Sequence, residues 1–222
     1  MATRFYLPAS GTVPLASLGF DANWELSNSV SRYPCFITKT NTSLADVART
    51  WPATDTQQWV FFQFQSQVMT AAYSWTTSDT VSMVMRGLQA AAQTDSYLVY
   101  SVRVVSGDGA TVRGTVGLYH STGTGEFTTS AQTRIHSART DDASNFSSSI
   151  GDRVIIEIGV HGITPSATAV TLRIGDPSAT ADFALTSGLT TDLCPWVELS
   201  RDVSFTHPNF VFQTGWGKRV TL

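Results

Sequence analysis

Lysine is almost absent from this chain. Lys39 and Lys218 are the only two, and glutamate occurs four times, at Glu25, Glu126, Glu157 and Glu198. Charged residues make up 14% of the 222 positions, against about 25% in an average soluble domain. So few of the straight-chain helix formers disfavours a helical protein. A net charge of -3 leaves no basic surface to meet a phosphate backbone, which argues against nucleic-acid binding. No apolar run approaches the roughly 20 residues of a membrane-spanning helix. Met1–Gly11 lacks a basic stretch followed by an apolar core, so it does not read as a secretory signal. Cysteine occurs twice, at Cys35 and Cys194, too few for a disulfide framework. Two buried thiols in a protein made in a reducing cytosol is the ordinary reading, and a single pairing stays open.

What the chain has is serine, threonine, valine and aromatics. Serine and threonine fill 56 positions. Period-two alternation runs through several segments, as it does in strands with one buried face. In 98–106, Leu98, Tyr100, Val102 and Val104 oppose Val99, Ser101, Arg103 and Val105. After Gly107-Asp108-Gly109, residues 111–120 alternate again, with Val112, Val116 and Leu118 inward and Arg113, Thr115 and Tyr119 outward. The two predict a β-hairpin with a short glycine loop. Residues 59–67, 81–86, 153–160 and 169–174 alternate likewise, and 36–40, 196–199 and 203–205 are weaker strands. The fold predicted is all-β, an antiparallel, jelly-roll-like β-sandwich of about eight strands. Helix is minimal: in 43–51 the spacing of Leu44, Val47 and Ala48 predicts one or two turns. Residues 1–56 read as a loop-rich N-terminal arm packed on the sandwich, 57–205 as its core, and 206–222 as a C-terminal extension. Phe210, Phe212 and Trp216 make that extension too apolar for a free tail, so it is either an edge strand or an interaction arm. Lys218 and Arg219 complete its set of partner-binding residues.

Catalytic patterns are missing. His120, His136, His161 and His207 fit neither a nucleophile elbow nor a zinc helix and read as surface polar residues. Gly123-Thr124-Gly125 is no nucleotide fingerprint, so no cofactor is expected. Glu157 and Glu198 fall in predicted strands, where cross-strand pairing with Arg153, Arg173 or Arg201 is the ordinary explanation. An acidic pair for glycoside hydrolysis is the enzymatic one. Asp176, Asp182 and Asp192 match no calcium loop and read as turn residues, so no metal is expected. Trp59 and Trp196 belong in strands. Trp51, Trp75 and Trp216 lie near turns, where exposed rings would form a glycan-binding platform.

Several short stretches together resemble a family of small virion-associated proteins of tailed bacteriophages. They are Arg4-Phe5-Tyr6-Leu7-Pro8, Phe20-Asp21-Ala22-Asn23-Trp24-Glu25 and residues 104–109 with Arg113-Gly114-Thr115. Residues 151–159, 173–177 and 195–200 complete the set, which covers about residues 3–205. The resemblance implies a non-enzymatic structural protein of a virion, made in the host bacterial cytoplasm. The expected role is a capsid decoration or cement protein that binds the major capsid protein or other virion proteins. A homo-oligomer, by analogy a trimer, is expected, with neither nucleic acid nor membrane as partner. The alternative is a receptor- or glycan-binding module of a tail fibre or baseplate, built on Trp51, Trp75 and Trp216.

Overall fold

Alternation becomes pairing in the computed structural model, which describes residues 2–50, 56–120, 125–163 and 168–206. In chain order the strands are β1 (Thr3–Tyr6), β2 (Ser31–Pro34), β3 (Ala45–Thr50), β4 (Thr56–Gln65), β5 (Tyr73–Trp75), β6 (Val81–Gln89) and β7 (Ser96–Val105). They continue with β8 (Val112–Tyr119), β9 (Gln132–Arg139), β10 (Phe146–Ser148), β11 (Arg153–Ile163), β12 (Ala169–Ile174) and β13 (Trp196–Leu199). One 3-10 turn, Ala92–Thr94, is the sole helix among the described residues. The expected count of about eight strands was low because β1, β2, β5 and β10 span only three or four residues each and because β3 and β9 were not foreseen as strands, whereas the expected strands 36–40 and 203–205 form only isolated bridges at Phe36 and Phe205. The helical turn expected at Leu44, Val47 and Ala48 is instead β3, paired along its length with β12.

Five strands form one sheet in the order β2-β4-β11-β7-β8. All its pairs are antiparallel except β2 with β4, which departs from the expected antiparallel pattern. The second sheet runs β1-β13-β6-β12-β3, with β9 also on β6. Both β9 and β13 pair with Val84, and both β9 and β12 pair with Gly87. β9 therefore takes one edge of β6, and β13 and β12 share the other. β5 and β10 form a separate two-stranded pair. Residues 2–50 thus contribute strands to both large sheets.

Side chains from the two sheets meet in one core. Phe62, Phe64, Tyr100, Val102, Ile156 and Ile158 come from the first, and Phe5, Met83, Met85, Leu172 and Leu199 from the second. The architecture is sandwich-like in that sense. The expectation of one buried face does not hold for β7 or β11, which are buried on both. Leu15 and Leu18 of the N-terminal segment cover Val105 and Ile155 on the outer face of the first sheet. Phe183, Leu189 and Leu193 cover Val84 and Trp196 on the outer face of the second.

The hairpin of β7 and β8 forms as expected, but its register shifts twice, between Val102 and Arg103 and between Val104 and Val105. Each bulge inverts the alternation beyond it. Val112, expected inward, is 54% exposed, and Leu118 is only half-buried. Tyr119, expected outward, is 6% exposed and stacks on Tyr100 at 6.4 Å.

Candidate functional site

The densest polar chemistry lies between the outer face of the first sheet and the segment Leu15–Leu26. That segment has no hydrophobic period and makes a turn, in which the Asp21 carboxylate accepts from the Asn23 N–H at 3.0 Å and its amide at 2.8 Å. The sheet grips it by side chains. Gln65 and Leu15 exchange two hydrogen bonds, each 2.8 Å. Gln63 donates to the Gly19 carbonyl at 3.2 Å and Arg32 to the Leu18 carbonyl at 3.3 Å, while Arg103 also donates to Gly19. On the side of a loop that faces a sheet, backbone groups are shielded from water and must be satisfied in this way, although Gly19 and several of its neighbours keep their other side exposed.

Glu157 is the centre of the cluster. It sits in β11 with 0% exposure. Its Oε2 accepts from the Asp21 N–H at 2.9 Å and the Trp24 indole N–H at 2.8 Å. Its Oε1 accepts from Gln63 and Arg103, each at 2.9 Å. Four donors, one of them the paired Arg103 guanidinium, compensate a charge that burial would otherwise penalise heavily. Burial also raises the Asp21 carboxyl, but the Asn23 and Ser101 hydrogen bonds and the Arg103 charge outweigh it, and the group is held below its ordinary range.

Two residues along β11 from Glu157, Gly159 leaves the space that Trp24 fills. A Cβ there would overlap the Trp59 carbonyl oxygen and lie 2.8 Å from Cζ3 of Trp24. His161 follows on the same face, and His120 packs its ring 4.5 Å from that of Trp24. Among the described residues neither imidazole has a hydrogen-bond partner on either nitrogen, and Gln58 Oε1 also lacks one. Burial pulls the His120 pKa down to about 4 and lowers that of His161. His136, on β9, is buried between Tyr100 and Tyr119, and its Nε2 bonds to the Leu98 carbonyl at 2.9 Å. The expectation of surface histidines fails for all three, because the Leu15–Leu26 segment and the facing sheet enclose them.

The carboxylates are separated by the fold. Glu157 pairs with Arg103, and none of the three arginines expected beside it takes part. Glu198, on β13 in the other sheet, pairs with Arg4 at 2.9 Å. Arg153 instead donates to the Ser66 and Gly107 carbonyls, Arg173 meets Asp46 and Asp192, and Arg201 meets Asp79. Asp176 accepts from the N–H and hydroxyl of both Thr40 and Thr42. Asp182 gathers Arg4 at 3.0 Å, Tyr6 at 2.9 Å and Lys39 at 2.8 Å. Burial raises its pKa, but these three donors outweigh it and hold the carboxyl below its usual range. Asp176, Asp182 and Asp192 are therefore not brought together, and the described residues contain no group of three or more metal-ligating side chains. Both cysteines are free and buried.

Trp75, expected near the surface, is 2% exposed. It stacks on Phe146 at 5.6 Å and donates to the Ser148 hydroxyl at 3.0 Å, because β5 and β10 pair at that point. Trp51, His207, Phe210, Phe212, Trp216, Lys218 and Arg219 lie outside the described residues.

No family model matches the chain. No curated protein matches it either. Among solved structures, it is similar to a chain in a structure of infectious bursal disease virus, Gx strain, at 11% identity and a TM-score of 0.21. That alignment covers 84% of this chain and 40% of the viral one, so this chain spans less than half the length of that relative.

Proposed function

We propose that this chain is a non-enzymatic structural protein of a tailed-phage virion, folded as a jelly roll and acting as a capsid decoration or cement protein. One observation carries the reading: many of the buried and half-buried ionisable side chains hold loops to sheets. Glu157, Arg103 and Arg32 fasten the Leu15–Leu26 segment. Asp176 fastens Thr40 and Thr42, and Asp182 fastens Lys39 to β1. Such a scaffold works through its surfaces. It would bind the assembled shell as a homotrimer, burying area across boundaries between major capsid proteins and so favouring the assembled state. The phage-like stretches Gly151–Gly159 and Pro195–Ser200 support the same setting. The tail-fibre alternative loses one of its three tryptophans, since Trp75 is enclosed.

Mass spectrometry of purified particles of the encoding phage tests this. A decoration protein is present in numbers comparable to the major capsid protein. A copy number matching a single vertex or a tail tip overturns the decoration role, and absence from the particle overturns the virion reading.

A further inference from the structure

Three unpartnered polar side chains meet on the outer face of the first sheet, beyond Glu157 and Gly159. His161 of β11 pairs with Gln58 of β4, and cross-strand partners share a face. His120 follows the last residue of β8 and arrives at the same place. Its backbone carbonyl accepts from Gln58 Nε2 at 3.3 Å, and its ring lies against Trp24, which packs over Gly159. His161 is 9% exposed. Among the described residues, both nitrogens of each imidazole and Gln58 Oε1 are buried without a hydrogen-bond partner.

A buried polar atom without a partner is costly, and each one calls for an explanation. Burial favours the neutral form of both imidazoles, so each presents one lone pair and one N–H. The Gln58 amide already gives an N–H to His120, which leaves its Oε1 as a third lone-pair donor. Water has only two hydrogens to give, whereas a divalent cation takes all three lone pairs. Negative charge surrounds the trio: Asp21 and Asp142 act on His120, and Glu25 acts on His161. Glu25 Oε2 itself accepts the Gln58 backbone N–H at 2.7 Å. It does not complete a set of three with the imidazoles, so the third donor is the amide oxygen.

We propose that His120, His161 and Gln58 form a binding site for one divalent transition-metal ion of the zinc type, held by a nitrogen of each imidazole and by Gln58 Oε1. Imidazole ligands favour zinc, nickel or cobalt over calcium and magnesium, which take oxygen. Three protein ligands leave a fourth position for water. The ion ties β4, β11 and the end of β8 together beside Trp24, and so braces the Leu15–Leu26 cover. The inference needs only this chain and stands apart from the virion reading.

Titration of the intact, chelator-stripped protein with Co²⁺ and with Zn²⁺ tests it. Co²⁺ should bind as a single equivalent with the visible absorption of a four-coordinate site, and Zn²⁺ should displace it. His120→Leu and His161→Leu should each weaken Co²⁺ binding at least about tenfold. Leucine leaves no polar atom unpaired, so circular dichroism of the metal-free variants should be unchanged. Gln58→Glu puts a carboxylate oxygen where the amide oxygen stood and should bind more tightly. His136→Gln should bind as the parent does, because His136 is already held by the Leu98 carbonyl. Saturating Zn²⁺ should slow hydrogen exchange in residues 15–26 of the intact protein and leave it unchanged in His161→Leu. Absence of Co²⁺ binding overturns the inference. So does binding of undiminished strength in both leucine variants, since the ion then sits elsewhere on the chain. Should a leucine variant lose its fold, Gln58→Glu decides, and no gain in affinity there overturns the inference as well.

Discussion

At single residues, burial decides which charges matter. Glu157 and Glu198 are both paired glutamates in strands, but one is wholly buried and the other has a side chain 29% exposed. Removing one member of a buried pair leaves the other uncompensated, at a cost of about 3–5 kcal/mol. An exposed pair is worth about 0–1 kcal/mol. Glu157→Leu should therefore destabilise severely in urea titrations, whereas Glu198→Gln should shift the midpoint little. Equal effects would show that the Arg103 pair adds nothing beyond its neighbours. Gly109 makes a second case. It turns with φ +76°, and an added Cβ would lie 2.9 Å from Leu18 Cδ1 and 3.0 Å from Leu15 Cδ1. Valine there meets both the disfavoured left-handed backbone and the covering segment, so Gly109→Val should cost about 1–3 kcal/mol. A loss below about 0.5 kcal/mol, the scatter of ordinary surface changes, would contradict that account.

At the scale of elements, the covering segment Leu15–Leu26 behaves as one unit pinned by Trp24. The indole donates to Glu157, packs over Gly159 and meets the His120 ring. Trp24→Ala removes a large buried ring, at about 3–5 kcal/mol if the site cannot collapse. It should also raise hydrogen exchange in residues 15–26 before it affects β7 or β11. Uniform loss of protection would show that the segment has no independent opening. This cover explains much of what the sequence revealed and withheld. β6, β7, β11 and β12 were legible because their alternating apolar residues face a common core. The glutamate inside Val154-Ile155-Ile156-Glu157-Ile158 was read as an ordinary cross-strand charge partner on a strand with one buried face. Only a distant segment without any period hides it, and such a contact leaves no local signature. β3 was misread for a related reason. Leu44, Val47 and Ala48 fit a helical spacing, yet Ala45, Val47 and Arg49 also alternate with Asp46, Ala48 and Thr50, and pairing with β12 decides between the two. The bulges in the β7–β8 hairpin inverted the expected faces of Val112 and Tyr119, because a one-residue shift carries no propensity signal.

For the whole molecule, enclosed histidines set the response to mild acid. Burial lowers the His136 pKa from 6.5 to about 4, outweighing its hydrogen bond to the Leu98 carbonyl. Arg139 lowers it further, and Asp141 opposes the shift. His120 and His161 are lowered in the same direction and also by burial. In the unfolded chain these groups take up a proton near pH 6.5, while in the folded chain His136 stays neutral to about pH 4. Between those values the unfolded state binds more protons, so stability rises with pH and is lost as pH falls through the window. Full expression of the His136 shift corresponds to about 3 kcal/mol. His120 adds less, because solvent reaches part of it. Asp21, Asp46 and Asp182 do not confuse the reading, since their pKa values are lowered from 3.8: their stabilisation is present above that pH and is lost mainly as pH falls below it. Urea unfolding at intervals from pH 7 to pH 4.5 should show a steady decline in the intact protein and a flatter one in His136→Gln. The variant will be less stable at every pH, because it loses ring contacts with Tyr100 and Tyr119, so the slope and not the offset carries the test. Parallel slopes in the two proteins would mean that His136 takes up its proton in the folded state, and that the space between the sheets admits water there.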